Sequence, residues 1–167
     1  MMRFSNFEGA NVRKMIKWSL FSALSVTSLA ALGQAFRILD EAPLDRAVDF
    51  PRERLLEVYR QMADEKIVTM RLLEGGDYNV NVRRLENVTP DTYRMLTHPD
   101  TIDVWVVQEG SGTVVTGGAQ DGDRHVGGDE RFIEVGDVLF IPAGLPHGMK
   151  ETASITFLNI RFPEHRN

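Results

Sequence analysis

Four histidines and no cysteine set the chemistry open to this chain. Disulfides, thiolate metal ligands and a cysteine nucleophile are excluded together, which leaves imidazole and carboxylate groups as a hard-to-borderline donor set. The most patterned stretch runs Gly136-Asp137-Val138-Leu139-Phe140-Ile141-Pro142-Ala143-Gly144-Leu145-Pro146-His147. Gly136-Asp137 turns the chain, an apolar strand follows, and Pro142 with Gly144 shapes a bend that swings His147 back. A second histidine, His98, follows Leu96-Thr97, with Asp103 and Gly110 downstream. His125, in a Gly-rich loop, and His165, near the C-terminus, are expected to face solvent.

These residues need elements to hold them, and the sequence has two styles. From Arg37 to Glu65 the pattern is helical. Pro51 before Arg52, Glu53 and Arg54 marks a helix start, and Leu55, Leu56, Val58, Tyr59 and Met62 fall on one face, so the helix at 51–64 is expected to cover a sheet. From Ile67 onward short alternating runs are broken by turns. Strands are expected at 67–73, 78–85, 103–108, 113–116, 132–135, 138–141 and 154–162. Gly75-Gly76-Asp77 and Glu109-Gly110-Ser111-Gly112 are expected to be turns, and 117–130 a loop. Many short strands in one run indicate a sandwich, barrel or jelly roll, with no repeat and no second domain.

The chain has 167 residues and a formal net charge of -5, which fits one domain and offers no basic surface for nucleic acid. At the N-terminus Arg13, Lys14 and Lys17 precede an uncharged run from Trp18 to Phe36, followed by the small residues around Gly33 and Ala35. This order reads as a secretory signal peptide over 1–33. An uncleaved anchor is the alternative, disfavoured by the five Ser and Thr residues that dilute a barely sufficient run. Met15 offers a second start site, which would make 1–14 an extension without a structural role. Removing 1–33 takes away four positive charges and one negative and moves the net charge from -5 to -8 over 134 residues. Such a protein is expected in the periplasm or outside the cell, without stable membrane association after cleavage. The expected organisation is a signal peptide at 1–33, a helical segment at 34–66 and a β domain at 67–167.

The stretch from Gly136 to His147 resembles the second cupin motif, with its glycine, proline, glycine and histidine all in place. The stretch Leu96-Thr97-His98, Asp103, Gly110 is similar to the first motif in spacing, but Leu96 stands where the family has a histidine and Asp103 where it has a glutamate. The position that often carries asparagine after the second histidine is Glu151. The two motifs span 96–151, and strand patterning extends the likeness to about 67–162. The resemblance implies an all-β, jelly-roll barrel with an N-terminal helix. By position it also implies a divalent metal held by His98, Asp103 and His147, with Fe, Mn, Zn, Ni and Cu all open. Two histidines and one carboxylate resemble the facial triad that holds non-haem Fe(II). Leu96 cannot ligate, and Asp103 reaches roughly 1.5 Å less far than a glutamate. The plain structural readings are a loop histidine beside Pro99, a strand-start aspartate and a rim histidine bonded to backbone.

If Asp103 points inward, alternation sends Trp105 and Val107 inward too, as an aromatic wall or as plain core. On the last strand Ile155, Phe157, Asn159 and Arg161 share one face. The more apolar Thr156, Leu158, Ile160 and Phe162 share the other, which is expected to meet the helix or a partner. Asn79, Asn81 and Arg83 form a polar face that either lines the cavity or meets water. Tyr93 and Arg94 precede the first motif, where they could reach the mouth. Arginine in a pocket points to a carboxylate on the ligand. Two functions compete. One is a metal-dependent enzyme of oxygenase, isomerase or lyase type acting on a small organic molecule, with Tyr93 or Asp103 moving protons. The other is a small-molecule binder without metal. A purely structural, homodimeric role is a third reading, since the fold alone does not choose.

Overall fold

The computed structural model describes residues 42–43, 45–122 and 124–165. The expected signal peptide at 1–33 and the start of the expected helical segment lie outside the described residues. Among the described residues no helix is long and apolar enough to cross a membrane.

Helix α1 spans Arg52–Glu65. Pro51 is its N-cap, and the Pro51 carbonyl accepts from the amides of Arg54 and Leu55. The helical pattern expected from Arg37 is not realised over 45–51, which is irregular. The physical reason is Pro51 itself, whose ring disfavours helical geometry in the residue before it. Lys66 closes the helix in the left-handed region at φ 57°, and the Ile67 amide returns to Met62 O at 2.9 Å.

Eight strands follow: β1 Thr69–Glu74, β2 Asn79–Val88, β3 Thr101–Thr116, β4 Ala119–Asp121, β5 Arg124–Val126, β6 Asp129–Glu134, β7 Val138–Ile141 and β8 His147–Pro163. All pairings are antiparallel. The main sheet has the order β1-β2-β8-β3-β6, with β7 also on β3, and β4 and β5 pair separately. The expected strand bounds hold for β7 and fall short at both ends of β8.

Alternation sorts the sheet into two faces. One face carries Val82 and Leu158 toward α1, where they pack with the buried Val58, Tyr59, Met62, Met70 and Leu72. The other carries Trp105, Val107, Val114, Leu139, Ile155 and Phe157 into a second apolar cluster. The helix covers the sheet as its apolar stripe requires, and the face assigned to Leu158 is confirmed.

Two expectations are corrected. Residues 109–112 do not form a hairpin turn, because β3 runs unbroken through them with register shifts against β8. Gly110 is needed for another reason. It sits at φ 70°, and a Cβ there would lie 2.0 Å from Ser154 O, so it lets the β8 backbone pass close while β3 changes its other partner from β7 to β6. A turn and a close-approach bulge leave the same glycine signature in sequence. Likewise 117–130 is not all loop: it holds the short β4–β5 hairpin and the first residues of β6.

Candidate functional site

The long antiparallel pairing of β3 with β8 builds the site. Asp103 pairs with Arg161, Trp105 with Asn159 and Val107 with Phe157. On the far side of β8, Asn79, Asn81 and Arg83 of β2 pair with Arg161, Asn159 and Phe157. Residues paired across strands share a face, so these rows gather polar side chains on one surface. His147 opens β8. It exchanges both backbone hydrogen bonds with Leu96 (2.8 and 2.9 Å), and the Gly144 amide donates to His98 O at 2.7 Å. This lacing draws the loop carrying His98 onto the bend carrying His147, with ring centroids 5.5 Å apart. Gly144 adopts φ 78°, which the bend requires and a side chain would resist.

The structure brings His98, Asp103 and His147 together, with one ligand atom from each lying within 4.8 Å of the others. Asp103 Oδ2 lies 3.1 Å from His147 Nε2 and 3.5 Å from His98 Nε2. The shorter arm of aspartate therefore does not keep this carboxylate from the histidines. Asp103 is fully buried and His147 nearly so, while the side chain of His98 keeps 27% exposure.

A backbone hydrogen bond orients the His147 ring. His147 Nδ1 lies 2.9 Å from Leu145 O, a contact that only a protonated Nδ1 can make. Nε2 faces a carboxylate oxygen at 3.1 Å. Both atoms are buried and neither has a hydrogen-bond partner. This contact is satisfied either by a proton on Nε2 that the carboxylate accepts or by a metal ion that both atoms ligate. A backbone carbonyl that sets the histidine tautomer is also the usual outer support of a metal ligand.

A third group enters that sequence reading placed in the pocket but did not connect. Arg161 Nε donates to Asp103 Oδ1 at 2.6 Å, and Arg161 Nη2 donates to His98 Nε2 at 2.8 Å. Burial, and then Arg161, hold the His98 imidazole below its ordinary value, which suits a neutral acceptor. Burial alone would push the Asp103 carboxyl up, but His147 and Arg161 outweigh it and hold the group below the usual carboxylate value. Asp103 is thus a buried, ionised carboxylate, suited to holding a cation. Its opposite-charge pairing with Arg161 was not visible in sequence, because nothing in the sequence shows that β3 pairs with β8.

Beside this cluster lies a cavity of about 420 Å³. His147, Trp105, Asn159, Arg161 and Arg83 line it, as does Tyr93, while His98 and Asp103 do not. Trp105 is both wall and core: it stacks on Phe157 at 4.4 Å and meets His147 edge-on at 5.7 Å. Sequence reasoning missed Leu85 and Met149, which line the cavity from β2 and β8. His165 is exposed as expected, but His125 is half-buried in the β4–β5 hairpin and lines a second, open groove.

BH2720 of Bacillus halodurans shares this architecture, with a TM-score of 0.52 at 19% identity over 75% of this chain and 86% of that one. The chain has the cupin fold. Two further cupin structures are similar over a smaller part. A predicted oxalate decarboxylase from Thermotoga maritima gives a TM-score of 0.46 at 15% identity over 57% of this chain and 79% of that one. The Fe(II) form of HppE gives 0.47 at 18% identity over 56% of this chain and 50% of that one. No protein-family model matches the sequence, and no curated protein does. Within this fold His98, Asp103 and His147 meet in space.

Proposed function

We propose that this cupin is an exported, metal-dependent enzyme of oxygenase, isomerase or lyase type that acts on a small organic molecule in the cavity. The observation that carries the proposal is the gathering of three ligand-type atoms, with the buried Asp103 Oδ2 3.1 Å from His147 Nε2 and 3.5 Å from His98 Nε2. A divalent ion held by His98, Asp103 and His147 satisfies these atoms. When bound, it supplies Lewis-acid or redox chemistry. The chain's own residues do the rest. Leu145 O holds His147 in its ligating tautomer, Arg161 braces Asp103, and Trp105 and Phe157 keep water from that side of the cavity. Tyr93 lines the cavity and is the hydroxyl placed to move a proton at a bound substrate.

Elemental analysis tests this directly. The purified protein is expected to carry close to one equivalent of metal, and a His98→Ala/His147→Ala variant none. Absence of metal from the wild type after reconstitution with Fe(II), Mn(II), Zn(II) and Cu(II) would refute the metalloenzyme reading. One observation favours a metal-free binder instead. Arg161 already contacts Asp103 and His98, so the site contains a cation of its own.

Export rests on the basic residues Arg13, Lys14 and Lys17 before an uncharged run, and a jelly-roll barrel is the closed form that this strand order supports. Expression of the full chain in a bacterium is expected to yield periplasmic protein that begins near Gln34 or Phe36. We also propose a homodimer, supported by the apolar side chains of Val138, Phe140 and Phe162 exposed beside the helix-covered strip. Light scattering is expected to give twice the chain mass, and Phe140→Asp the single mass.

A further inference from the structure

The charge of the cavity opposes that of the chain. The protein carries a net charge of -5, yet Arg83, Arg94 and Arg161 all line the cavity and, among the described residues, no carboxylate does. Arg161 is spoken for, since it is paired with Asp103 at 2.6 Å. Arg83 is not. Its Nε is fully buried without a hydrogen-bond partner, and it forms no ion pair among the described residues. Burial, and then the neighbouring Arg161, pull its guanidinium below the ordinary value, with Asp103 opposing them. The next residue shows what compensation looks like on the same strand. Arg84, on the opposite face of β2, binds Glu86 at 2.9 Å, Thr156 at 2.8 Å and Glu109 at 3.4 Å.

Arg83 is half-buried with its Nε cut off from water and no counter-charge, which leaves the guanidinium on the cavity wall free to meet an anion from outside. The wall has two further unsatisfied groups, Trp105 Nε1 and Asn159 Oδ1. The indole N–H is a donor that can share an oxygen with the guanidinium. The remainder is apolar, with Leu85, Met149 and Phe157 placed to take a hydrocarbon body. Arg94 lines this cavity and also the adjoining open groove, which Arg124, Lys150 and Asp91 line as well, with Lys150 paired to Glu130.

We propose that the cavity binds an organic carboxylate, with Arg83 holding the carboxylate group, Arg94 guiding it in at the mouth and the aromatic wall holding an apolar body. This rests on the reading above that the ligand occupies the cavity, but not on the metal.

Calorimetric titration of EDTA-treated protein with phenylacetate, and with the neutral isostere phenylacetamide, tests it. Benzoate, butyrate and succinate complete the panel. Phenylacetate is expected to bind at least tenfold more tightly than the amide. Arg83→Met should erase that ratio, and Arg83→Lys should keep part of it. Arg83→Met should also raise the thermal midpoint of the ligand-free protein, because it removes the uncompensated charge. That rise separates a lost binding group from a damaged fold. Equal binding of acid and amide, a ratio that survives in Arg83→Met, or no binding by any carboxylate at millimolar concentration would each overturn the proposal. Metal binding without carboxylate discrimination defeats this inference alone. Carboxylate discrimination in a protein that never takes up metal defeats the metalloenzyme reading alone.

Discussion

Asp103→Ala is expected to lower the stability of the metal-free protein by about 3 kcal/mol and to reduce bound metal to background. The carboxylate is fully buried and lies within 3.5 Å of three groups: Arg161 at 2.6 Å, His147 at 3.1 Å and His98 at 3.5 Å. Its removal leaves the Arg161 guanidinium without a counter-charge. Removing one partner of a buried ion pair typically costs about 3–5 kcal/mol, and the lower end applies because the Arg161 side chain keeps 23% exposure and can recover some hydration. Asp103→Asn separates charge from shape. Its amide keeps the shape and can still hydrogen-bond His147 Nε2, so it should lose roughly half as much stability as alanine while losing metal just as fully. Urea unfolding and elemental analysis read the two quantities separately. A stability loss under about 1 kcal/mol in Asp103→Ala, or metal retained by Asp103→Asn, would show that the carboxylate is not the centre of the cluster.

How much of this was open to sequence reading depends on whether the signal was local. The helix was legible because Leu55, Val58, Tyr59 and Met62 repeat at helical spacing after Pro51. The bend before His147 was legible because Pro142 and Gly144 restrict the chain within a few residues. His98, Asp103 and His147 were implied by the resemblance to the two cupin motifs, and the structure brings them together. What failed needed knowledge of partners. Gly110 and Gly112 look like turn residues until β8 is placed beside them, and then both lie where a Cβ would strike its backbone. Arg161 was assigned to the cavity by alternation, correctly, but its hold on Asp103 comes from a pairing 58 residues apart. The shorter reach of Asp103 than of a glutamate means that the backbone must carry the carboxylate to the histidines. The pairing of β3 with both β7 and β8 sets that backbone, and the carboxylate lies within 3.5 Å of both histidines.

The substitution that separates the enzyme from the binder is Arg161→Met. In the protein as it stands, Arg161 contacts the same carboxylate and the same His98 nitrogen that a metal ion would need. Two cations then compete for one site. Without Arg161 the fully buried Asp103 has no counter-charge, and the metal-free variant is expected to lose about 3–4 kcal/mol. The metalloenzyme reading adds a second expectation. With the competing guanidinium gone, metal should bind on the order of tenfold more tightly, a gain of about 1.4 kcal/mol. Metal at about 100 times its dissociation constant should then restore roughly 2.7 kcal/mol of the lost stability. Thermal unfolding with EDTA and with Mn(II), Co(II) or Zn(II) measures the recovery, and adding His147→Ala to the variant should abolish it. The binder reading gives the opposite result. If the guanidinium is the cation that the cluster evolved to hold, the variant is destabilised equally with and without metal, because two histidines and a carboxylate spaced for an arginine lack the geometry to hold an ion. Recovery by metal would mean that Arg161 is the placeholder of an empty metal site, and its absence would mean that Arg161 is the permanent occupant.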